Sequence, residues 1–441
     1  MTLLMLGIFA VLLVLAFPVG YALIVSSGVA AITLGSMPSA TVVVKIFQPS
    51  QSFPLLAIPF FVLSGNLMMG GTLGKKLIEF ATALVGRMHG GLAQVSVVGS
   101  TIFGGVSGSA VAEASALGSM LIPWQKKKGY PGPFAAATIA SSSVIAGLIP
   151  PSIPLIIYAT VSDQSIASLF LAGLVPGLLL CAGFMIVCYL SGRIRRFPRL
   201  TDKVTWIALM HVTFLALPAL AMPLFIVILL RAGIATPTEV SVMAVFYGLI
   251  VSMVIYRDLT IKRLFDALVH TAVTTGVVML VISASNMVGY VLTVEAIPKA
   301  VAEWALETIQ SPMMILLMMN LIMLVVGMFL DLPAAILLLG PTFVAIGAAI
   351  GLDLIQLGIM MAVNLSLGLF TPPVGTTLFV AAAISRESIG SIVKELWPFY
   401  LVALTVLLLM TYFPALTIYC HDDNCVCWIG CDGHPHDSQP A

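Results

Sequence analysis

Two prolines stand side by side, twice, inside segments otherwise apolar enough to cross a bilayer: Ile149-Pro150-Pro151-Ser152 and Thr371-Pro372-Pro373-Val374. A proline has no N–H and its ring excludes the carbonyl four residues back. The pairs therefore free the carbonyls of Ala146, Gly147, Gly368 and Leu369 from a helical ladder. Backbone left open in hydrocarbon must face protein, water or a ligand. A chain with two such ruptures is not a bundle of straight rods, and interrupted helices in corresponding halves point to the ion and substrate site of a transporter.

The surrounding sequence requires a membrane. Mean hydropathy is +1.13, and only 8% of the 441 residues are charged, against about 25% in soluble domains. Apolar stretches run over 3–34, 55–71, 91–121, 133–161, 167–189, 204–230, 240–256, 269–292, 313–351, 354–384 and 397–418. Most approach the roughly 20 residues that one helical crossing needs, and none alternates like a barrel strand. The expectation is an all-α polytopic protein. No Lys or Arg precedes the first apolar run, which reads as a retained span or a pair of half-spans rather than a cleaved signal. The net charge of +1 and the absence of a basic patch give no sign of nucleic-acid binding.

Sixteen of the nineteen Lys and Arg fall in five groups: Lys75 to Arg87, Lys126 to Lys128, Arg193 to Lys203, Arg257 to Arg263, and Arg386 with Lys394. The positive-inside rule places all five in the cytoplasm. One span over 91–121 would leave the Lys triplet outside, and the stretch is too short for two. A re-entrant hairpin of two half-length arms reaching about mid-membrane satisfies both constraints. The same logic makes 313–351 a second hairpin entering from the other face.

An offset of 222 residues separates the proline pairs and also lays Gly105-Val106-Ser107-Gly108-Ser109 against Gly327-Met328-Phe329-Leu330-Asp331. Both are polar or glycine-rich tips between apolar arms. The expected architecture is an inverted repeat with two re-entrant hairpins and two broken helices. Its expected divisions are scaffold 1–90, first transport half 91–161, connecting helices 162–312, second transport half 313–384, a last helix 385–419 and a tail 420–441.

Oxygen donors at these tips and breaks suit a hard alkali cation. The first Na⁺ site would draw on Ser107, Ser109, Gly147, Ile149 and Pro151, and the second on Gly327, Gly368, Thr371 and Val374. Each break is followed by a new helix, whose N-terminal N–H groups and dipole favour an anion. A carboxylate substrate would then lie near Ser107, Gly108, Ser152, Asp331, Gly375 and Thr376. Plainer roles stand beside these. Intramembrane Ser and Thr also bond their own helix, Glu113 can meet a backbone donor, and Asp331 can cap a helix with Pro333 at an early position.

Taken together, Gly104-Gly105-Val106-Ser107-Gly108-Ser109-Ala110, Leu148-Ile149-Pro150-Pro151-Ser152 and Gly368-Leu369-Phe370-Thr371-Pro372-Pro373-Val374-Gly375-Thr376 resemble the DctM-type large membrane subunit of tripartite ATP-independent periplasmic (TRAP) transporters. The resemblance covers about residues 1–415. It implies an elevator-type importer in the bacterial inner membrane, driven by Na⁺ and carrying an organic acid of the sialic acid, C4-dicarboxylate or sugar-acid class. It also implies two partners, a small four-helix DctQ-type membrane subunit and a soluble DctP-type periplasmic binding protein. No Walker-type loop is present, which agrees with ion coupling. One alternative is a single-component Na⁺/dicarboxylate symporter. Another is an intramembrane serine protease using Gly105-Val106-Ser107-Gly108, with His211 or His270 as base. After Leu416 the sequence departs from the family: Cys420, Cys425, Cys427, Cys431, His434 and His436 fit no zinc template well, and no transport role is assigned to them.

Overall fold

The computed structural model describes residues 2–15, 17–33, 39–69, 71–199, 206–309 and 311–417; the Cys/His tail lies outside the described residues. Every described element is helical, the form in which a single segment satisfies its own backbone in lipid. The chain opens with α1 (Thr2–Val14) and α2 (Val19–Thr33), two short helices with Pro18 between them. The first apolar stretch is thus two helices of 13 and 15 residues rather than one straight span. Next come α3 (Ser39–Phe47), α4 (Ala57–Met69) and α5 (Thr72–Val85). Segments 41–51 and 53–69 meet at a bend of 55°, as in a broken span or a re-entrant loop.

The first hairpin is α6 (Gly91–Ser107) and α7 (Ala110–Lys127). The first broken helix follows as α8 (Gly132–Ser142), a tight 3₁₀ turn to Gly147, and α9 (Ile153–Ser162). Then come α10 (Ile166–Ile194), α11 (Trp206–Arg231), α12 (Pro237–Ile250), α13 (Ile261–Val294) and α14 (Ile297–Ile309). The second hairpin is α15 (Pro312–Gly327) and α16 (Leu332–Ala349), and the second broken helix is α17 (Leu354–Gly368) with α18 (Thr376–Ser385). The last long helix is α19 (Ile389–Tyr412). Among the described residues six helices are long and apolar enough to cross a membrane, or seven with the bent pair.

Two expectations change in detail. The hairpin arms are longer than half-length: 17 and 18 residues in the first rise about 25 Å, against about 15 Å for half a hydrocarbon core. The extra turns carry the basic residues Lys126 and Lys127. Residues 72–85, left between the apolar stretches 55–71 and 91–121, form a helix because Leu73, Leu77, Ala81 and Val85 recur every fourth position and are all buried.

Contacts among the basic segments gather them at one end. The Thr72 N–H donates to Asp258 at 2.6 Å, and Arg263 pairs with Asp258 at 2.9 Å. Burial alone would raise the Asp258 pKa, but these donors outweigh it and hold it below the ordinary carboxylate value. Lys126 pairs with Glu387 at 2.8 Å, Arg195 with Glu395 at 2.7 Å, and Arg199 contacts His89. The opposite end is joined by Thr238 donating to the Phe53 carbonyl, Tyr158 to Leu354 and Tyr412 to Met313. The first hairpin starts and finishes at the basic end, the second at the other.

Side-chain hydrogen bonds and ion pairs also divide the helices. One set holds α6–α10 and α15–α19, tied by Thr377 to Ala140, Asn364 to Asn320, Asn320 to Thr411, Gln356 to Met410, and Tyr400 to Phe370. The other holds α2–α5 and α11–α13, tied by Asn66 to Thr271, Arg263 to Leu67, Asn286 to the Lys45 carbonyl, and Tyr247 to Pro218. Among the described residues the contacts between the sets are packing contacts, such as Phe61 on Phe170.

Candidate ion and substrate site

In each half a hairpin tip crosses a proline break at backbone distance. A Cβ on Gly104 would stand 2.8 Å from the Cα of Ala146, and one on Gly368 would overlap the backbone of Gly327. Ala146 and Gly368 are 222 residues apart, the spacing of the proline pairs. At the first tip Gly108 adopts φ +61, and a Cβ there would overlap the Pro151 carbonyl oxygen. The chain can turn this tightly against the break only with glycine at that position.

The structure brings the first predicted set together. Gly108 lies against Pro151 and the Ile153 amide, and Gly105 against Ile149. The Ser109 N–H donates to the Ser107 hydroxyl at 3.5 Å, and Ser109 caps α7 by accepting from Ala112. The Ser152 hydroxyl donates to the Gly147 carbonyl at 2.5 Å and accepts from the Leu155 N–H at 3.3 Å. Ser152 therefore closes the break as well as starting α9. In the second set Gly327 touches Gly368, Thr371 donates to the Leu367 carbonyl at 2.6 Å, and Val374 is exposed. Asp331 occupies the capping position of α16 and is exposed, but its side chain makes no cap bond. Gly375 precedes α18 with φ +45.

Three of the four freed carbonyls already have partners inside the protein. Gly147 accepts from Ser152, Gly368 from the Thr371 N–H at 3.0 Å, and Leu369 from the Thr377 N–H at 3.0 Å and hydroxyl at 2.9 Å. A carbonyl oxygen has a second lone pair, so these bonds orient the groups without using them up. The expected N–H donors at the start of α18 are partly spent in the same way, since Thr377 and Leu378 both donate to Leu369.

Sequence reasoning missed Ser366. Its hydroxyl is fully buried with no hydrogen-bond partner, and a Cβ on Gly147 would meet it at 3.4 Å. It lies on α17 one turn before the second break yet faces the first. Thr376, which was expected at the site, also carries a buried hydroxyl without a partner. Orphaned oxygens of this kind are costly unless something binds them. Glu113 differs from the plainer role: neither carboxyl oxygen meets a backbone donor, and the carboxyl is buried beside the Ser100–Ser142 hydroxyl pair.

A serine-protease arrangement finds no support in these contacts. The Ser107 hydroxyl is bonded by the Ser109 amide, while His211 and His270 are exposed on α11 and α13.

Residues 6–416 match the family described as the tripartite ATP-independent periplasmic transporter, DctM component. The uncharacterized protein y4mL of Sinorhizobium fredii is 50% identical over 419 residues, 95% of this chain and 100% of that protein. The C4-dicarboxylate TRAP transporter large permease protein DctM of Pseudomonas aeruginosa is 37% identical, over 89% of this chain and 92% of its own length. Among solved structures, the Alcanivorax borkumensis YdaH transporter, described as having an unusual topology, superposes with a TM-score of 0.56 over 84% of this chain and 86% of its own. At 15% identity that likeness is one of fold.

Proposed function

This chain belongs to the DctM component family of tripartite ATP-independent periplasmic transporters, and we propose on that premise that it imports an organic acid across the bacterial inner membrane by coupling to Na⁺. It is the large membrane permease of such a system. The substrate is a carboxylate of the C4-dicarboxylate, sialic acid or sugar-acid class, delivered by a periplasmic binding protein, with a DctQ-type small membrane subunit completing the complex.

One observation carries the reading: two tip-on-break crossings at Gly104/Ala146 and Gly368/Gly327, with the orphaned Ser366 hydroxyl between the breaks. Oxygen donors in that cradle fit an alkali cation. Ser107, Ser109, Ser366 and the carbonyls near Gly147, Ile149 and Pro151 would hold one Na⁺. The carbonyls near Gly327, Gly368, Thr371 and Val374 would hold the other. Opposite ends for the two hairpins support an inverted repeat. The separate hydrogen-bonded sets support an elevator, in which α6–α10 and α15–α19 slide as one body along α2–α5 and α11–α13. Each net positive charge moved inward gains about 2.3 kcal/mol per 100 mV, so two Na⁺ with a monoanion would use voltage as well as the sodium gradient.

The test is uptake by proteoliposomes holding both membrane subunits, with the purified binding protein outside. Uptake should require sodium and fail when choline replaces it. Sodium-independent accumulation would refute the coupling. Full uptake by this chain without the small subunit or binding protein would favour the single-component symporter.

A further inference from the structure

The three cationic residues outside the basic groups are Lys45, Arg231 and Lys299, and Lys45 borders a cleft of about 690 Å3. That volume is ordinary for a small-molecule site. The cleft lies between the two hydrogen-bonded sets, toward the end opposite the basic loops. One wall is the bend from Lys45 to Leu55 with α13; the other is Thr160 and Val161 of α9 with Leu337 and Pro341 of α16. Leu337 and Pro341 stand 6 and 10 residues beyond Asp331 on α16, about 9 to 15 Å along the helix from the second hairpin tip.

Its lining contains no Asp or Glu. The Lys45 ammonium is held by the Gln48 side-chain oxygen at 3.1 Å and by the face of Tyr290 at 5.0 Å, and it has no carboxylate partner among the described residues. Asn286 donates to the Lys45 carbonyl at 2.6 Å, fixing that turn to α13. The Ser285 hydroxyl lines the same cleft, is 2% exposed and has no hydrogen-bond partner. A cation whose neighbours are neutral, beside an orphaned hydroxyl and amide groups, selects an anion with further polar atoms.

We propose that this cleft is a loading subsite for a small organic carboxylate, with Lys45 as its counter-charge and Ser285 as a hydrogen-bond partner, occupied before the acid reaches the hairpin tips. The assignment rests on the transporter reading above, which places the cleft on the periplasmic side.

A readout independent of transport tests it. In the full chain with its small subunit, Ser52→Cys puts a thiol at the cleft rim. Its conversion to a mixed disulfide, with release of methanesulfinate, by an anionic sulfonatoethyl methanethiosulfonate and by the cationic trimethylammonium analogue is measured by peptide mass without reductant. Each rate is divided by that reagent's rate with free mercaptoethanol. The anion should be favoured, Lys45→Gln should abolish the preference, and Lys45→Arg should keep it. Millimolar succinate or N-acetylneuraminate should slow the anionic reaction. In uptake, Lys45→Gln should raise half-saturating substrate about tenfold, the scale of one charge-assisted contact, with little change in maximal rate. No preference for the anion, a preference indifferent to Lys45, or an introduced thiol that neither reagent reaches would overturn the proposal. Failure of sodium-driven uptake with the anion preference intact would instead count against the transporter reading and leave an anion-binding cleft.

Discussion

Gly368→Ala is the sharpest probe of the crossing between tip and break. Added to the end of α17, a methyl group should on propensity alone stabilise the helix by up to about 1 kcal/mol. Here it would stand 2.7 Å from the Gly327 Cα and closer still to that residue's carbonyl, where ordinary contact begins at 3.4 Å. The tip must therefore retreat by about 1 Å to clear that carbonyl, since both partners are backbone. Overpacking of this kind costs about 1–3 kcal/mol, so a net loss of up to about 2 kcal/mol is expected and the protein should still fold. Its ion site should not survive as well, because coordination by oxygens tolerates shifts of about 0.2 Å. Loss of one such contact, about 1.5–3 kcal/mol, corresponds to a sodium half-saturation raised at least about tenfold. Gly276→Ala on α13 is the control. Its Cβ would meet nothing within 4 Å, and α13 supplies no oxygen to either proposed ion site, so half-saturation should change by no more than about threefold. Sodium titration of proteoliposome uptake, with thermal melting of each variant, reads both quantities. Wild-type sodium dependence in Gly368→Ala, or equal impairment in the two variants, would refute the crossing as the ion site.

Ser366→Ala breaks no hydrogen bond, so its melting temperature should hold while sodium half-saturation rises; an unchanged titration removes Ser366 from the site. Asp331→Asn should impair uptake more than Glu113→Gln, because Asp331 stands at the tip and Glu113 within an arm, and equal defects would contradict that ranking. Asn364→Ala takes the donor away from the Asn320 side-chain and backbone oxygens in a buried network and should cost about 1–2 kcal/mol of stability, read as an earlier melt in detergent. The Asp258 carboxylate is held below its ordinary pKa, so its contribution is present above the unfolded value of about 3.9 and is lost as pH falls through the depressed one. At neutral pH Asp258→Asn should lower stability by about 1 kcal/mol, discounted for solvent screening, and the difference in melting should shrink as pH falls through the depressed value.

Breaks and tips were legible because proline and glycine act locally: the missing N–H of Pro151 or the backbone freedom of Gly108 constrains the chain whatever surrounds it. Hairpin placement followed from charge, since the Lys triplet at 126–128 had to return to the end where it started. Arm length was not legible, because the apolar stretch stops where charged helix continues through Lys127. Residues 72–85 fell outside the apolar stretches for a related reason: their lysines hid a four-residue apolar spacing. Ser366 and Ser285 gave no sequence signal. A serine in an apolar helix is unremarked until the surrounding chains fail to supply it with a partner, and that absence exists only in three dimensions.

The distribution of close contacts bears on how the two helix sets can move. Within the set that carries both hairpins, glycine crossings bring backbone onto backbone, and Asn364, Asn320 and Thr377 tie helices together through buried polar bonds. Such bonds are slow to exchange in lipid because the freed groups would find no water. Between the sets the contacts are packing contacts, which can slide without leaving a polar group unmet. The tightest of them is local: a Cβ on Gly65 of α4 would stand 2.9 Å from the Val106 carbonyl oxygen, and one on Gly105 would stand 2.6 Å from Pro223 of α11. On the proposed sliding, the first tip must leave this seat while the exposed second tip has none to leave. The barrier should therefore respond to residues at 65 and 223 more than to any residue around Phe329.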